Sequence, residues 1–412
     1  MTSPASMPSR ADRMPPFGEF VALIALMMAM VALSIDNLLP AFVPIQHEFR
    51  LLDANDTQFL ISSYMAGFAV SQLVYGPLSD AIGRRPSMLI GMIIYAAGTV
   101  LAIISTSFEM LLVARAIQGV GGAASRVLVM TIVRDRYRGQ EMARVMSFVM
   151  MVFIIGPVLA PGSGAVILMF GSWRLIFVSM LMLGLSVLVW FSLRMPETLH
   201  PENRLKLSVS GIWDGMRQCV TNRTTLGYTL AVSLMLGTLM GYINSAQQIF
   251  ETDVYGLGTV FPVVFGLIAG VMGIASFVNS ILVRRIGLRR LSHMGVVAFA
   301  IVSLMQVVLA LVHNGHPPLI AFCLLLAALN FIFSLSMPNF NALAMEPMGR
   351  IAGTASSFIG AATTALSGFL GMIVGQFYDG SVLPLTIGYL VLGVAAVGMV
   401  AWTERDKMFR DH

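Results

Sequence analysis

Twelve stretches of this chain, each roughly 20 residues long and nearly free of charge, leave it few ways to fold. A helix of about that length crosses a hydrocarbon core of about 30 Å, and only structures that satisfy every backbone N–H and C=O internally are stable there. The runs fall at about 18–40, 57–79, 87–106, 108–133, 142–169, 172–193, 224–249, 259–283, 288–312, 316–343, 351–377 and 382–402. Each predicts a spanning helix. Hydrophobic residues make up 57% of the chain and charged residues 11%, too little charge to solvate a water-soluble surface. An all-α integral membrane protein with twelve transmembrane helices is expected.

The loops give the orientation. Arg84 and Arg85, the segments 134–144, 194–223 and 284–290, Arg350, and the segment 405–410 place Lys and Arg in even-numbered connections or at the ends. Odd-numbered connections hold little basic charge beyond Arg50 and Arg174 and carry Glu109, Glu251, Asp253 and Asp379. Basic loops face the cytoplasm, so both termini and the central loop are expected there, in a bacterial cytoplasmic membrane. The net charge of +5 is accounted for by that asymmetry, and no nucleic-acid partner is implied. The first run is too long, and lacks the small-residue cleavage site, for a signal peptide. Cys219 and Cys323 make no disulfide framework, and neither suggests a metal site. The six histidines are placed in loops or at helix ends, and no metal-ligand spacing or nucleophile–base arrangement falls within the spans, so an enzyme is not expected.

The longest connection divides the chain into a tail (1–17), a six-helix bundle (18–193), a central loop (194–223), a second six-helix bundle (224–402) and a tail (403–412). A faint repeat supports the division. Gly83-Arg84-Arg85 before the third run is echoed by Gly287-Leu288-Arg289-Arg290 before the ninth, with Arg284 where the first half has Asp80, and Ser147-Phe148 by Ser357-Phe358. Two related bundles with a cavity between them near the midplane follow from this pattern.

Ionisable residues inside spans are costly and mark functional interiors. There are three: Asp36, Arg115 and Arg126. Asp36 lies about 6–8 Å from the outer end of the first run, and Arg115 about 9–12 Å from the outer end of the fourth, so their depths match. A buried carboxyl is penalised as an anion and relieved by a nearby cation, so Asp36 can load and release a proton as water access and the distance to Arg115 change. The simpler alternative is a permanent ion pair that ties the two helices together. Arg115, Gln118, Gly122 and Arg126 share one side of the fourth helix, with Arg126 about 16 Å deeper. Arg126 either snorkels to the cytoplasmic boundary or faces the cavity, where it would disfavour multiply cationic ligands.

Elsewhere, Gly156, Pro157 and Pro161 in the fifth run suggest a gating hinge, or simply close packing. In the seventh run Asn244, Gln247 and Glu251 share a face flanked by Tyr242 and Gln248, the most polar stretch of the second half. Asn37, Gln118, Gly122, Arg126, Tyr242, Asn244, Gln247 and Gln248 are the expected substrate-cavity residues. Between the second and third runs, Gly76, Asp80, Gly83, Arg84 and Arg85 form a charged turn, with the glycines permitting sharp backbone and Asp80 placed to accept from a following arginine.

That turn resembles the signature loop of the major facilitator superfamily. So do Arg115-Gln118-Gly119 and the Gly/Pro-rich fifth run, the motif associated with proton antiporters. More narrowly, Asp36 with Pro40, Ala160-Pro161-Gly162, Trp173-Arg174 and Pro196-Glu197-Thr198-Leu199 are similar to the Bcr/CflA branch of bicyclomycin and chloramphenicol exporters. The resemblance implies bundles rocking about a central site, with drug leaving as protons enter. Asp36 would be the proton and substrate acid, Arg115 its partner, and Asp80 with Arg84 a conformational latch. No cofactor is expected beyond the proton gradient, and the partners would be a small amphiphilic substrate, protons and the bilayer, with the chain acting as a monomer. Departures lie at Asn37-Leu38 and Arg126, which bear on drug range. The alternatives are a proton-coupled metabolite or siderophore carrier on the same scaffold, and a non-transporting sensor.

Overall fold

The computed structural model describes residues 15–137, 139–199, 202, 204 and 209–404, and every regular element among them is helical. The first half contains α1 (Phe17–Asp36), α2 (Phe42–Phe49), α3 (Phe59–Ile82), α4 (Arg84–Ile103), α5 (Phe108–Arg136), α6 (Gly139–Leu168) and α7 (Arg174–Arg194). The central connection holds α8 (Val209–Thr221). The second half contains α9 (Arg223–Ala246), α10 (Phe261–Ile286), α11 (Leu288–Val312), α12 (Leu319–Met345), α13 (Ala352–Gln376) and α14 (Leu383–Glu404).

Among the described residues, eleven helices are long and apolar enough to cross a bilayer, against twelve expected. The other expected span corresponds to α6, a helix of 30 residues. Its described apolar stretch is Leu159–Leu168, and several of its side chains, that of Pro157 included, lie outside the described residues. The backbone of α6 stays helical through Pro157 and Pro161. Both tails beyond residues 15 and 404 also lie outside the description.

Three features depart from an array of plain spans. The first helix stops at Asp36, passes through a 3-10 turn at Leu39–Ala41 and resumes as the short α2. The seventh span ends in a π turn, Gln247–Thr252. The central connection carries α8, packed against α9 and α13.

Packing follows from small residues. α5 lies against both α3 and α4. A Cβ on Gly119 would collide with the backbone carbonyl of Tyr64 in α3, and one on Gly98 in α4 would sit 2.5 Å from the backbone N of Gln118. Backbones therefore touch on both sides of α5, and its interior-facing residues are held at fixed depth. The two halves meet mainly where α3 packs on α13 and α6 on α10. Gln72 Nε2 donates to Thr364 Oγ1 at 3.0 Å across the first of these seams.

At the rim bearing the basic loops, the charged turn closes as expected and recruits two more acids. Gly83 adopts φ +110°, a conformation costly for any residue with a Cβ. Arg84 pairs with Asp80 at 2.5 Å and with Asp135, at the end of α5, at 3.1 Å. Glu197 accepts from the backbone N of Arg84 at 2.9 Å and of Arg85 at 3.2 Å, placing a carboxylate on the N-terminus of α4, where the helix dipole favours negative charge. Arg85 Nη2 reaches the carbonyl of Ser192 at 2.7 Å. In the second half, Gly287 repeats the turn at φ +88°. Arg289 pairs there with Glu346 at 2.9 Å and Glu404 at 3.5 Å. A positive-φ glycine followed by an arginine–acid cluster thus recurs in the second half, with acids at the ends of α12 and α14 where the first half has Asp80. His293, expected near a helix end, is buried beside this cluster, its Nε2 3.0 Å from the Tyr228 hydroxyl, which also donates to Glu404.

Candidate functional site

α1 ends at Asp36, where a turn at Asn37 and Leu38 leads into the 3-10 segment Leu39–Ala41 with Pro40 inside it. The side chain of Asp36 is 3% exposed, and its Oδ1 has no hydrogen-bond partner among the described residues. It lies within electrostatic range of the Tyr242 hydroxyl, contributed by α9 of the second half. A broken span that places an acid between two bundles is an arrangement found where membrane proteins bind ions.

Arg115 is fully buried and does not pair with Asp36. Its Nη2 donates to the carbonyl of Ser34 at 2.7 Å, its Nε to that of Leu60 at 3.1 Å and its Nη1 to Gln118 Oε1. The guanidinium also faces the Tyr64 ring at 4.7 Å. The reason is the break itself: the last carbonyls of α1 lack intrahelical donors, and a cation at a helix C-terminus meets both that need and the dipole. Arg115 therefore sits on the carbonyl two residues before Asp36, and no ion pair within 4.0 Å joins the two among the described residues.

Around this cation the first half builds a closed polar network. Gln118 Nε2 donates to Thr99 Oγ1 at 2.9 Å, and Ser34 Oγ lies 2.7 Å from the Tyr95 hydroxyl. Gln118 is thus a supporting residue of Arg115. Gly122 makes room for Tyr64, whose hydroxyl would lie 2.5 Å from a Cβ there. Asn37 accepts from Ser163 Oγ at 2.9 Å, and its carbonyl packs on Gly164, so it ties α1 to α6. Gly156 of α6 lies against Ala32 of α1, and Pro161 is buried. Arg126 is half-buried further along α5.

On the opposite side, Tyr242 stacks on Phe265 at 5.4 Å and meets Phe250 edge-on. Its hydroxyl, Asn244 Oδ1 and Gln247 Nε2 are buried without hydrogen-bond partners among the described residues. Such atoms are costly unless something polar comes to them. Asp36, Tyr242, Asn244 and Gln247 are the expected site residues that keep unpartnered polar atoms in the interior. Gln248 is elsewhere. It lies at the rim opposite the basic loops, in a lattice of amides that joins the halves, donating to Asn55 Oδ1 at 2.7 Å and accepting from Gln58 Nε2 at 2.8 Å. Asn55 donates to the carbonyls of Gln376 and Tyr378, Gln376 returns a bond to the carbonyl of Asn55, and Gln58 donates to that of Gly375. The π turn sets Gln248 toward this lattice while Gln247 stays inside.

Gly76, expected in the latch, packs on Ser357 of α13. Reading the residues alone missed Asp135 and Glu197 at the charged turn, Tyr64, Tyr95 and Thr99 around Arg115, and Asn55, Gln58 and Gln376 at the rim opposite the basic loops. Glu197 had a signal in the Pro196-Glu197-Thr198 motif; the amides lay in connections where polar residues are ordinary. A shallow apolar cleft of about 150 Å³ on the flank between α3 and α13, lined by Ala69, Leu73 and Phe358 among others, contains none of these groups.

Residues 24–372 match the sequence profile of the Major Facilitator Superfamily. The chain is 28% identical over 402 residues to the uncharacterized MFS-type transporter YdgK of Bacillus subtilis, covering 95% of this chain and 97% of that one. It is 27% identical over 396 residues to a bicyclomycin resistance protein homolog of Haemophilus influenzae, covering 95% and 98%. Among solved structures, a D-xylose-proton symporter superposes with a TM-score of 0.69 at 16% identity, over 92% of this chain and 97% of that one, a likeness of fold.

Proposed function

Because this chain belongs to the major facilitator superfamily, we propose that it is a proton-coupled antiporter that exports small amphiphilic compounds, of the phenicol or bicyclomycin kind, by alternating access. The observation that carries this reading is Asp36, a buried acid with an unpartnered oxygen at the break of α1, within electrostatic range of Tyr242 of the other half. The resistance protein among its relatives supports the direction of transport and the kind of substrate.

A buried carboxylate without a charge partner is costly, and binding a proton removes the charge. With the outer rim open, a proton from outside reaches Asp36; with the inner rim open, it leaves to the cytoplasm and a substrate group takes its place. Arg115 stays charged and holds the carbonyl end of α1 in register, leaving its positive field close to the acid for the ionised state. Tyr242, Asn244 and Gln247 supply hydrogen bonds to the substrate from the second half. The latch at Asp80, Arg84, Asp135 and Glu197 keeps the basic rim of the first bundle rigid while the bundles rock. The basic rim faces the cytoplasm, and one chain carries both halves of the site, so a monomer suffices.

The test is efflux of a panel that includes a phenicol and a monocationic dye from expressing cells, with and without an uncoupler. Uncoupler-sensitive export of the phenicol is expected. Inward accumulation, or absence of transport for every compound at normal membrane levels, would contradict the reading.

A further inference from the structure

Helix α8 is covered on only part of its circumference. A Cβ on Gly215 would lie 2.7 Å from Thr354 Cγ2, and Cys219, one turn on, is buried against Met348 and Ala355. Thr354 and Ala355 are neighbours in the first turn of α13, about 1.5 Å apart in rise, whereas Gly215 and Cys219 are about 6 Å apart along α8. α8 therefore crosses α13 instead of running beside it. Its far end returns to the same level, because Asn222 caps α9 and Arg223 lies 4.8 Å over the ring of Trp402, donating to its carbonyl. Trp402 is 47% exposed at the end of the last span, and an arginine over an exposed aromatic ring belongs at headgroup depth. The helix, about 20 Å long, lies in the plane of the basic rim.

Its uncovered flank is not that of a helix in water. At about 100° per residue, Trp213 and Val220 lie about 150° around the axis from Gly215, with Arg217 beside them and Asp214, Gln218 and Thr221 on the remaining arc. Trp213 is 66% exposed and Val220 48%. Arg217 is exposed as well. An in-plane helix with an aromatic and an aliphatic side chain next to an exposed cation has the chemistry of the boundary between headgroups and acyl chains.

We propose that α8 is a membrane-surface helix: Trp213 and Val220 enter the headgroup–acyl boundary of the leaflet at the basic rim, Arg217 binds anionic phospholipid headgroups there, and Gly215 and Cys219 fasten α13 to that seat. The bilayer is the occupant because the surface is continuous with the spans through Arg223 and Trp402, and because the charge nearest the apolar flank is Arg217, which lies between that flank and the exposed Asp214. The proposal does not depend on the transported compound, and which leaflet is involved follows from the orientation of the basic rim.

Full-length protein in phospholipid vesicles provides the test, since the fluorescence difference between wild type and Trp213→Phe isolates Trp213 from Trp173, Trp190 and Trp402. Lipid brominated high on its acyl chains is expected to quench that difference signal by about half, as fits burial about 5–10 Å into the boundary, while aqueous acrylamide leaves it nearly unchanged. Quenching by acrylamide and not by brominated lipid would overturn the proposal and leave the flank to water or a protein partner. For the anionic part, bromine carried on phosphatidylglycerol should quench roughly threefold more effectively than bromine on phosphatidylcholine, and Arg217→Gln should abolish the preference. Equal quenching by both lipids in wild type would exclude recognition of anionic headgroups.

Discussion

At the scale of single residues, the decisive fact is how Arg115 is used. Its donors hold the carbonyls of Ser34 and Leu60 and the Gln118 side chain, on three helices. Arg115→Ala would leave those acceptors buried and unpaired, at about 1–3 kcal/mol each, and is expected to lower the unfolding temperature in detergent clearly. Arg115→Lys should recover only part of the loss, because an ammonium on a flexible stem cannot reproduce a planar fork. Equal stability of all three proteins would contradict this role. The glycines of α5 make a sharper pair. Gly119→Ala drives a methyl into the Tyr64 backbone and should cost about 1–3 kcal/mol or prevent folding, whereas Gly122→Ala meets the movable end of the Tyr64 side chain and should cost less. Charge in an apolar run singles out Asp36 and Arg115, and both side chains are buried. The alternative of a permanent ion pair rests on matching depths, which say nothing of the backbone, and it is the interruption of α1 at Asp36 that offers Arg115 the Ser34 carbonyl instead.

At the scale of elements, the rim opposite the basic loops is joined by amides. Six hydrogen bonds among Asn55, Gln58, Gln248, Gly375, Gln376 and Tyr378 join the halves without an ion pair among the described residues. Gln248 takes part in two of them, and Gln248→Ala should shift the access equilibrium by about fivefold for each kcal/mol lost. With Cys219 and Cys323 replaced, a cysteine at Ser245 in the interior of α9 should react faster with a membrane-impermeant thiol reagent added from outside; an unchanged rate would show that the lattice is no gate. At the basic rim, Glu197→Ala removes the acceptor for two N–H groups at the start of α4 and should cost about 1–2 kcal/mol in thermal unfolding, with Glu197→Gln intermediate. No change in either variant would rule out that capping role. Span positions were legible to within a few residues because hydrocarbon thickness dictates length. The π turn and the amide lattice were not, since both depend on which strip of one bundle meets the other, and polar residues in connections carry no such information.

At the scale of the whole molecule, two helical bundles carry arginine–acid clusters at the basic rim built on Gly83 and Gly287, while both halves leave buried polar groups unsatisfied, Asp36 in the first and Tyr242, Asn244 and Gln247 in the second. The repeat was visible as an echo of two arginines; the acids completing the second cluster come from the ends of α12 and α14, too far along the chain for spacing to reveal. A body rigid at its rims and polar at its centre suits exchange of one bound species for another, and the central claim is that Asp36 exchanges its proton for substrate. The most direct measurement is proton release from purified protein in weakly buffered detergent on addition of a phenicol substrate that the efflux panel identifies. Wild type should release protons when the compound is added, and Asp36→Asn, purified in folded form, should release none. Undiminished release from Asp36→Asn would contradict the account and assign the coupling to another acid.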